Sequence, residues 1–209
     1  MHSSAWLLGD DIKSIGTELM KEAIVAKVPT NIGVTRMCPR SYGDESYLVW
    51  VDPVKFCTYW ANDSKNDWEQ YRLATGGFEE WTSDRKYLDV DEIMKAGEAI
   101  IPFSHVSFYL RKEIVPIKKK FLFFFSKSVG TREIEVPCAS FVDGITRFIW
   151  LMAHQAKYIP IECNSSEICQ LLDRYVGAEG TISTSIKGLV KAANATENPI
   201  EIESYIMTP

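Results

Sequence analysis

The chain has 209 residues, enough for one domain with small additions, and its 46% apolar and 24% charged content is that of an ordinary globular protein. A core this size folds without disulfide staples, and the formal charge of -5 argues against a surface that grips nucleic acid throughout. No apolar run approaches the ~18 residues of a membrane span, and the first residues, from Met1 to Asp11, lack the basic region of a secretory signal, so a cytoplasmic location is expected. Five scattered cysteines (Cys38, Cys57, Cys138, Cys163, Cys169) form no CxxC pair and read as reduced, buried thiols. With only His2, His105 and His154 as imidazoles, none near a cysteine at ligand spacing, no metal site is expected.

Residues 11–27 carry apolar positions at helical spacing, and Pro29 is expected to end that helix. Residues 29–45, rich in Pro, Gly, Asn and Ser, read as a loop. Tyr47–Val51 is a β-type run, and Asp52-Pro53 starts a helix with Asp52 as N-cap and Pro53 at the first helical position. A polar break at 62–67, the segment 68–71 and the Gly76-Gly77 turn follow, then a short helix at 90–96. Ile100–Val106, with Pro102, reads as an edge strand that 107–110 extends. Ile114–Ile117 and Lys120–Phe125 read as two strands separated by basic residues, with a turn at 128–131. A strand at 133–142, interrupted by Pro137, leads into a helix at 144–154, a buried strand at 158–162 and a helix at 165–176 capped by Ser165 or Ser166 with Gly177 at its end. Residues 181–192 are weakly helical. The chain divides into an N-terminal extension (1–45), a main domain (46–193) and a mobile tail (194–209), and the fold class is α/β (α+β).

Three other features have two readings each. Lys118-Lys119-Lys120 before Phe121–Phe125 is either a solvated strand end or a contact for nucleic acid or a membrane surface. The aromatics Trp60, Trp68, Tyr71, Phe78 and Trp81 are either core or interface. Asp84, Asp89, Asp91 and Glu92 lack defined metal-ligand spacing and fit a helix start better.

The informative segment is 139–163. A strand ends at Val142, Asp143-Gly144 makes a tight turn, and helical spacing begins, with Phe148, Leu151 and Met152 on the buried face. Gly144 permits close approach of a ligand, the free N–H groups of a helix start favour an anion, and Arg147 one turn in supplies a planar cation suited to phosphate. The plainer reading makes Gly144 a turn residue and Arg147 the partner of a surface carboxylate.

This segment resembles the signature of the ParB/sulfiredoxin-like superfamily, and more narrowly that of plasmid fertility inhibition factors of the Osa, FiwA and FipA type. Phe141, Gly144, Arg147, Phe148, Trp150, Leu151 and Pro160 carry the match, with Val49-Trp50-Val51-Asp52 and Ile101-Pro102 similar to two further strands of the family. The resemblance implies a mixed sheet with flanking helices and a nucleotide or phosphate site at Asp143, Gly144, Thr146 and Arg147, taking ATP or another nucleotide with Mg. It implies a factor that blocks conjugative transfer of a co-resident plasmid by binding the coupling ATPase of the type IV secretion system. The alternative is a nucleotide-dependent nuclease or ATPase of the same fold; DNA is a less favoured partner. Ile145-Thr146 stand where the family has Arg-His, and Asp143 where it has Asn. Isoleucine offers no nucleophile at the reactive cysteine position of sulfiredoxins, and threonine cannot shuttle a proton near neutral pH. Weak or no hydrolysis is expected, from a degenerate site whose catalytic residues are unknown.

Overall fold

The computed structural model describes residues 24–95, 100–121, 125–179, 181 and 183–194. The helix expected over 11–27 lies largely outside the described residues, as does the tail from 195 onward. The described end of that helix is a strand instead. β1 (Ala26–Thr30) and β2 (Gly33–Cys38) form an antiparallel hairpin, so the loop expected over 29–45 is half strand. Pro29 is accommodated because β1 is an outer strand of its sheet, where a missing N–H leaves no ladder bond unmade. Gly33, at φ 139°, takes the backbone angle that closes the two-residue turn. β4 (Ile100–Pro102) joins β2 in parallel to complete a three-stranded sheet.

The second sheet is five-stranded and mixed, in the order β6-β5-β7-β3-β8. β3 (Tyr47–Val51) and β7 (Ile159–Cys163) pair antiparallel at its centre; β7 is buried at every position and β3 at all but Tyr47. β8 (Thr184–Ser185) closes one edge. At the other edge, β5 (Ser104–Phe121) and β6 (Phe125–Asp143) form one long antiparallel ribbon. The two short strands and the turn expected at 128–131 are thus one ladder. Gly130, at φ 158°, pairs with Ile117 while Lys118 pairs with Ser128, so the turn signal marks a bulge at Val129. Pro137 does not interrupt β6, because among the described residues that strand's far side bonds to no other strand.

The helices expected after Asp52, Gly144 and Ser165 follow their sequence signals, whereas those over 68–75 and 78–82 carry no helix expectation. Asp52 accepts from the amides of Val54 and Lys55 and caps α1 (Pro53–Asp63), whose Phe56 and Trp60 are fully buried. α2 (Trp68–Thr75), α3 (Phe78–Thr82) and α4 (Arg85–Lys95) follow, the last longer than expected. α5 (Ile145–Ala153) starts immediately after Gly144. Ser165 caps α6 (Ser166–Val176) by accepting from the Ile168 amide at 3.1 Å. Gly177 ends α6 without left-handed geometry; a side chain there would lie 2.3 Å from the Asp173 carbonyl, which is the physical demand for glycine. α7 (Ile186–Asn194) ends the described chain.

The motif aromatics build the core. Phe56, Phe141 and Phe148 meet with ring centroids 5.0–5.3 Å apart, and Trp60 stands edge-on to Phe141 at 4.7 Å. Trp150 is fully buried and donates its indole N–H to Asp91 of α4 at 2.9 Å, so that acidic residue is a structural acceptor. Asp84 likewise accepts from the Lys86 amide at the start of α4. Among the described residues no group of three His, Cys, Asp or Glu is placed to hold a metal ion. All five cysteines are free thiols, and all but Cys38 are buried. No described helix is long and apolar enough to cross a membrane.

Candidate functional site

The strand–turn–helix expected at 139–163 is present. β6 ends at Asp143, Gly144 takes φ 90° and ψ 21°, and α5 begins at the next residue with no side chain capping it. Ser104, at the start of β5, donates its hydroxyl to the Gly144 carbonyl at 2.8 Å. A Cβ on Gly144 would stand 2.9 Å from the Ser104 Cα and Oγ and 2.6 Å from Arg147 Nη2. Glycine is therefore required both for the backbone angle and for the close approach of β5.

Arg147 folds back along the turn. Its Nη2 donates to Asp143 Oδ2 at 2.9 Å and more weakly to the Phe103 carbonyl at 3.4 Å, while its Nε is buried without a hydrogen-bond partner among the described residues. Asp143 Oδ2 receives a second guanidinium: Arg40 Nη1, from the loop after β2, at 2.5 Å. The backbone amide of Arg40 donates to Glu162 Oε2 at 2.7 Å, and Glu162, on β7, is only 3% exposed. His105 lies opposite Asp143 in the β5–β6 ladder and beside Glu162 in the β5–β7 ladder, with Nε2 buried and unpartnered among the described residues. Thr146 is half-buried on the first turn of α5.

Of the four residues expected to form the site, Asp143, Gly144 and Arg147 are thus brought into contact. Arg40, Glu162, His105 and Ser104 are the additions that sequence reading missed. A cleft of about 540 Å³ opens beside them, lined in part by Arg40, Asp44, His105, Glu162 and Asn164; none of the four expected residues lines it.

The electrostatics are closed. The hydrogen bond from Arg147, aided by the charges of Arg147 and Arg40, holds the Asp143 carboxyl below the usual range despite its partial burial. Both guanidiniums, Arg40 and Arg147, end on the one carboxylate of Asp143, while Glu162 accepts from the Arg40 backbone amide. Burial, with Glu162 nearby, pushes the Cys38 thiol up to about 11, so it is protonated and a poor nucleophile at neutral pH. Tyr42 is pushed up to about 12, chiefly by burial and then by Cys38. The arrangement holds the Asp143 carboxylate firmly and keeps the Cys38 thiol protonated.

A family model described as "Plasmid Fertility inhibition factor" matches residues 48–177. The chain belongs to the plasmid fertility inhibition factor family. The match spans β3 to the end of α6 and so contains the turn, Arg147 and Glu162, but not Arg40. The fold is also similar to the crystal structure of Oncogenic Suppression Activity Protein, a plasmid fertility inhibition factor solved as a gold(I) cyanide derivative. The TM-score is 0.61 at 19% identity, covering 83% of this chain and 79% of that one. No curated protein matches the chain.

Proposed function

We propose that this fertility inhibition factor acts by occupying a surface of the coupling ATPase of a type IV secretion channel, in the cytoplasm of a donor cell. The observation that supports this reading is an exposed aromatic pair within the family-matched region. The five aromatics singled out from the sequence divide in the fold. Trp60 and Trp81 are core and Tyr71 is half-buried, whereas Trp68 at the start of α2 is 73% exposed and Phe78 at the start of α3 is 57% exposed. Large exposed aromatics on successive helices are the type of residue that anchors protein interfaces. Expression in a donor is expected to lower transfer of a susceptible plasmid without slowing growth or plasmid replication. Trp68→Ala with Phe78→Ala is expected to restore transfer at unchanged thermal stability. Normal transfer of every plasmid tested from donors making the wild-type protein refutes the reading.

A second reading, a nucleotide-dependent ATPase or nuclease with Mg, is favoured by one observation: Arg40 and Arg147 converge on a single carboxylate oxygen, as they would on a phosphate. A phosphate entering at Gly144, Thr146 and Arg147 has to displace Asp143, so binding is weak. Arg147→Ala is expected to weaken nucleotide binding by at least ~1.5 kcal/mol, the lower range for a lost charged hydrogen bond. Vigorous ATP turnover that survives Arg147→Ala places the activity elsewhere.

A further inference from the structure

We propose that the outward surface of α2 to α4 docks a basic, amphipathic helical segment of a partner protein. The inference rests on the reading that this factor occupies a partner's surface, and it adds the chemistry of that partner. The exposed aromatics Trp68 and Phe78 are not isolated. On α4, Leu88 is 56% exposed and Ile93 52%. Each of the four stands next in sequence to an exposed acid, in the pairs Trp68-Glu69, Phe78-Glu79, Leu88-Asp89 and Glu92-Ile93. Among the described residues, none of these four acids makes an ion pair or hydrogen bond through its side chain. Helix geometry gathers the last two pairs on one face. An α-helix turns about 100° per residue, and the buried Tyr87 and Met94 mark the side of α4 that faces the body. Leu88, Asp89, Glu92 and Ile93 fall on the opposite half.

The three helices are tied to one another. The Trp81 indole N–H of α3 donates to the Leu73 carbonyl of α2 at 2.9 Å, and Arg72 bonds Glu80 across the same junction. Gly76, at the end of α2 and two residues before Phe78, borders a cleft of about 390 Å³. Val54, Ala74, Trp81 and Met152 line it with apolar side chains, which suits the anchor residue of an amphipathic helix. Charge decides the occupant. From Asp67 to Ile93 the chain has eight Asp or Glu and three Lys or Arg, a balance of -5 that equals the formal charge of the whole chain. Such a surface repels nucleic acid and anionic lipid and steers a cationic partner toward it. Apolar anchors alternating with Lys or Arg at helical spacing answer both features. The anchors enter the cleft and pack on Trp68 and Phe78, and the cations meet the unpaired acids. A second copy of this chain is a poorer occupant, because it brings the same net negative charge.

The experiment measures binding of the full chain to a dye-labelled amphipathic helix of Leu and Lys by fluorescence anisotropy. The same helix with Glu in place of Lys is the control. The Lys helix is expected to bind and the Glu helix not. Raising salt from about 0.05 to 0.5 M is expected to weaken binding at least about fivefold. Glu79→Lys with Asp89→Lys is expected to weaken it at least about tenfold, and Trp68→Ala with Phe78→Ala comparably. Asp173→Lys with Glu179→Lys makes the same change in net charge at the end of α6 and is expected to stay within about twofold of wild type. Circular dichroism and melting temperature verify folding. Glu79→Gln with Asp89→Asn, which removes the charges without reversing them, is expected to weaken binding about threefold and keeps the test decisive if the lysine variant misfolds. Equal binding of the two helices, or binding of neither, overturns the proposal. Equal losses in the α2–α4 and α6 lysine variants also overturn it, since net charge alone is then responsible. Self-association of the wild type that Trp68→Ala with Phe78→Ala abolishes overturns it too and assigns the surface to a second copy. The donor assay is read separately. Normal plasmid transfer alongside specific binding of the Lys helix refutes the coupling-ATPase reading and supports the docking surface.

Discussion

Gly144→Ala tests the turn that organises the site. Holding alanine at φ 90° in the left-handed region costs about 1–2 kcal/mol. The new Cβ also stands 2.9 Å from the Ser104 Cα, a backbone atom fixed by pairing of β5 with β7, so relief requires that strand to shift. Overpacking of that kind adds about 1–3 kcal/mol. The sum is a loss of roughly 2–5 kcal/mol, or about 4–20 °C in melting temperature for a domain of this size. Gly77→Ala is the control: no atom lies within 4 Å of its added Cβ and its φ is -127°, so only its place as N-cap of α3 is affected and the loss stays within about 1 kcal/mol. Gly144→Asn separates the two contributions, because asparagine tolerates left-handed backbone but still carries the clashing Cβ. It is expected to recover only about 1 kcal/mol of the loss, read by urea denaturation. A stability for Gly144→Asn equal to wild type, or a loss at Gly144→Ala no greater than at Gly77→Ala, refutes the close-approach argument.

Asp143→Asn removes a carboxylate whose folded-state pKa is depressed by Arg147 and Arg40; its ion pairs stabilise the fold above about pH 4 and are lost as acid protonates it. With the Asp143 side chain 48% exposed, the wild-type advantage over the variant is expected to be no more than about 1 kcal/mol at pH 7 and absent near pH 2, measured by denaturation at both pH values. Asp91→Ala strands the buried Trp150 indole N–H and is expected to cost about 1–3 kcal/mol, whereas Asp91→Asn keeps an acceptor and loses less; a larger loss for Asn than for Ala contradicts the hydrogen bond. Phe148→Ala empties a fully buried position between Phe56 and Phe141 and is expected to cost about 3–5 kcal/mol in equilibrium unfolding.

Local signals were legible where one element's chemistry sufficed. Asp52-Pro53, Ser165 and the change of period at Gly144 each specify a helix start through bonds made within a few residues, and all three appear in the fold. The misreadings share a different cause. Pro29, Gly33, Gly130 and Pro137 all look like breaks, yet all sit in strands. Whether a proline or glycine breaks a strand depends on whether its free side faces a neighbouring strand, and that is decided by sheet order, not by the local sequence. The site residues missed from sequence are distant for the same reason. Arg40 reaches Asp143 across 103 positions and Glu162 across 122, with no periodic or capping signal to mark it.

The residues that carry the family signature have unequal jobs, and this bears on how inhibition should respond to mutation. Phe148, Trp150, Leu151 and Pro160 are buried, and Phe141 packs against the same core, so five of the seven matching positions maintain the fold. Only Gly144 and Arg147 belong to the turn, where the guanidiniums of Arg147 and Arg40 are both already answered by the Asp143 carboxylate. If inhibition acts through the exposed Trp68 and Phe78, substitutions divide into two classes. Core changes such as Phe148→Ala and Trp150→Phe reduce inhibition in proportion to the stability they remove, and a second-site stabilising change rescues them. Trp68→Ala and Phe78→Ala remove inhibition at unchanged melting temperature, and no stabilising change rescues them. A plot of transfer inhibition against denaturation midpoint separates the classes: core variants fall on one curve and the surface pair falls well below it. If the surface pair lies on the core curve while Arg147→Ala falls below it, the partner-occupying mechanism is wrong and the anion site carries the activity.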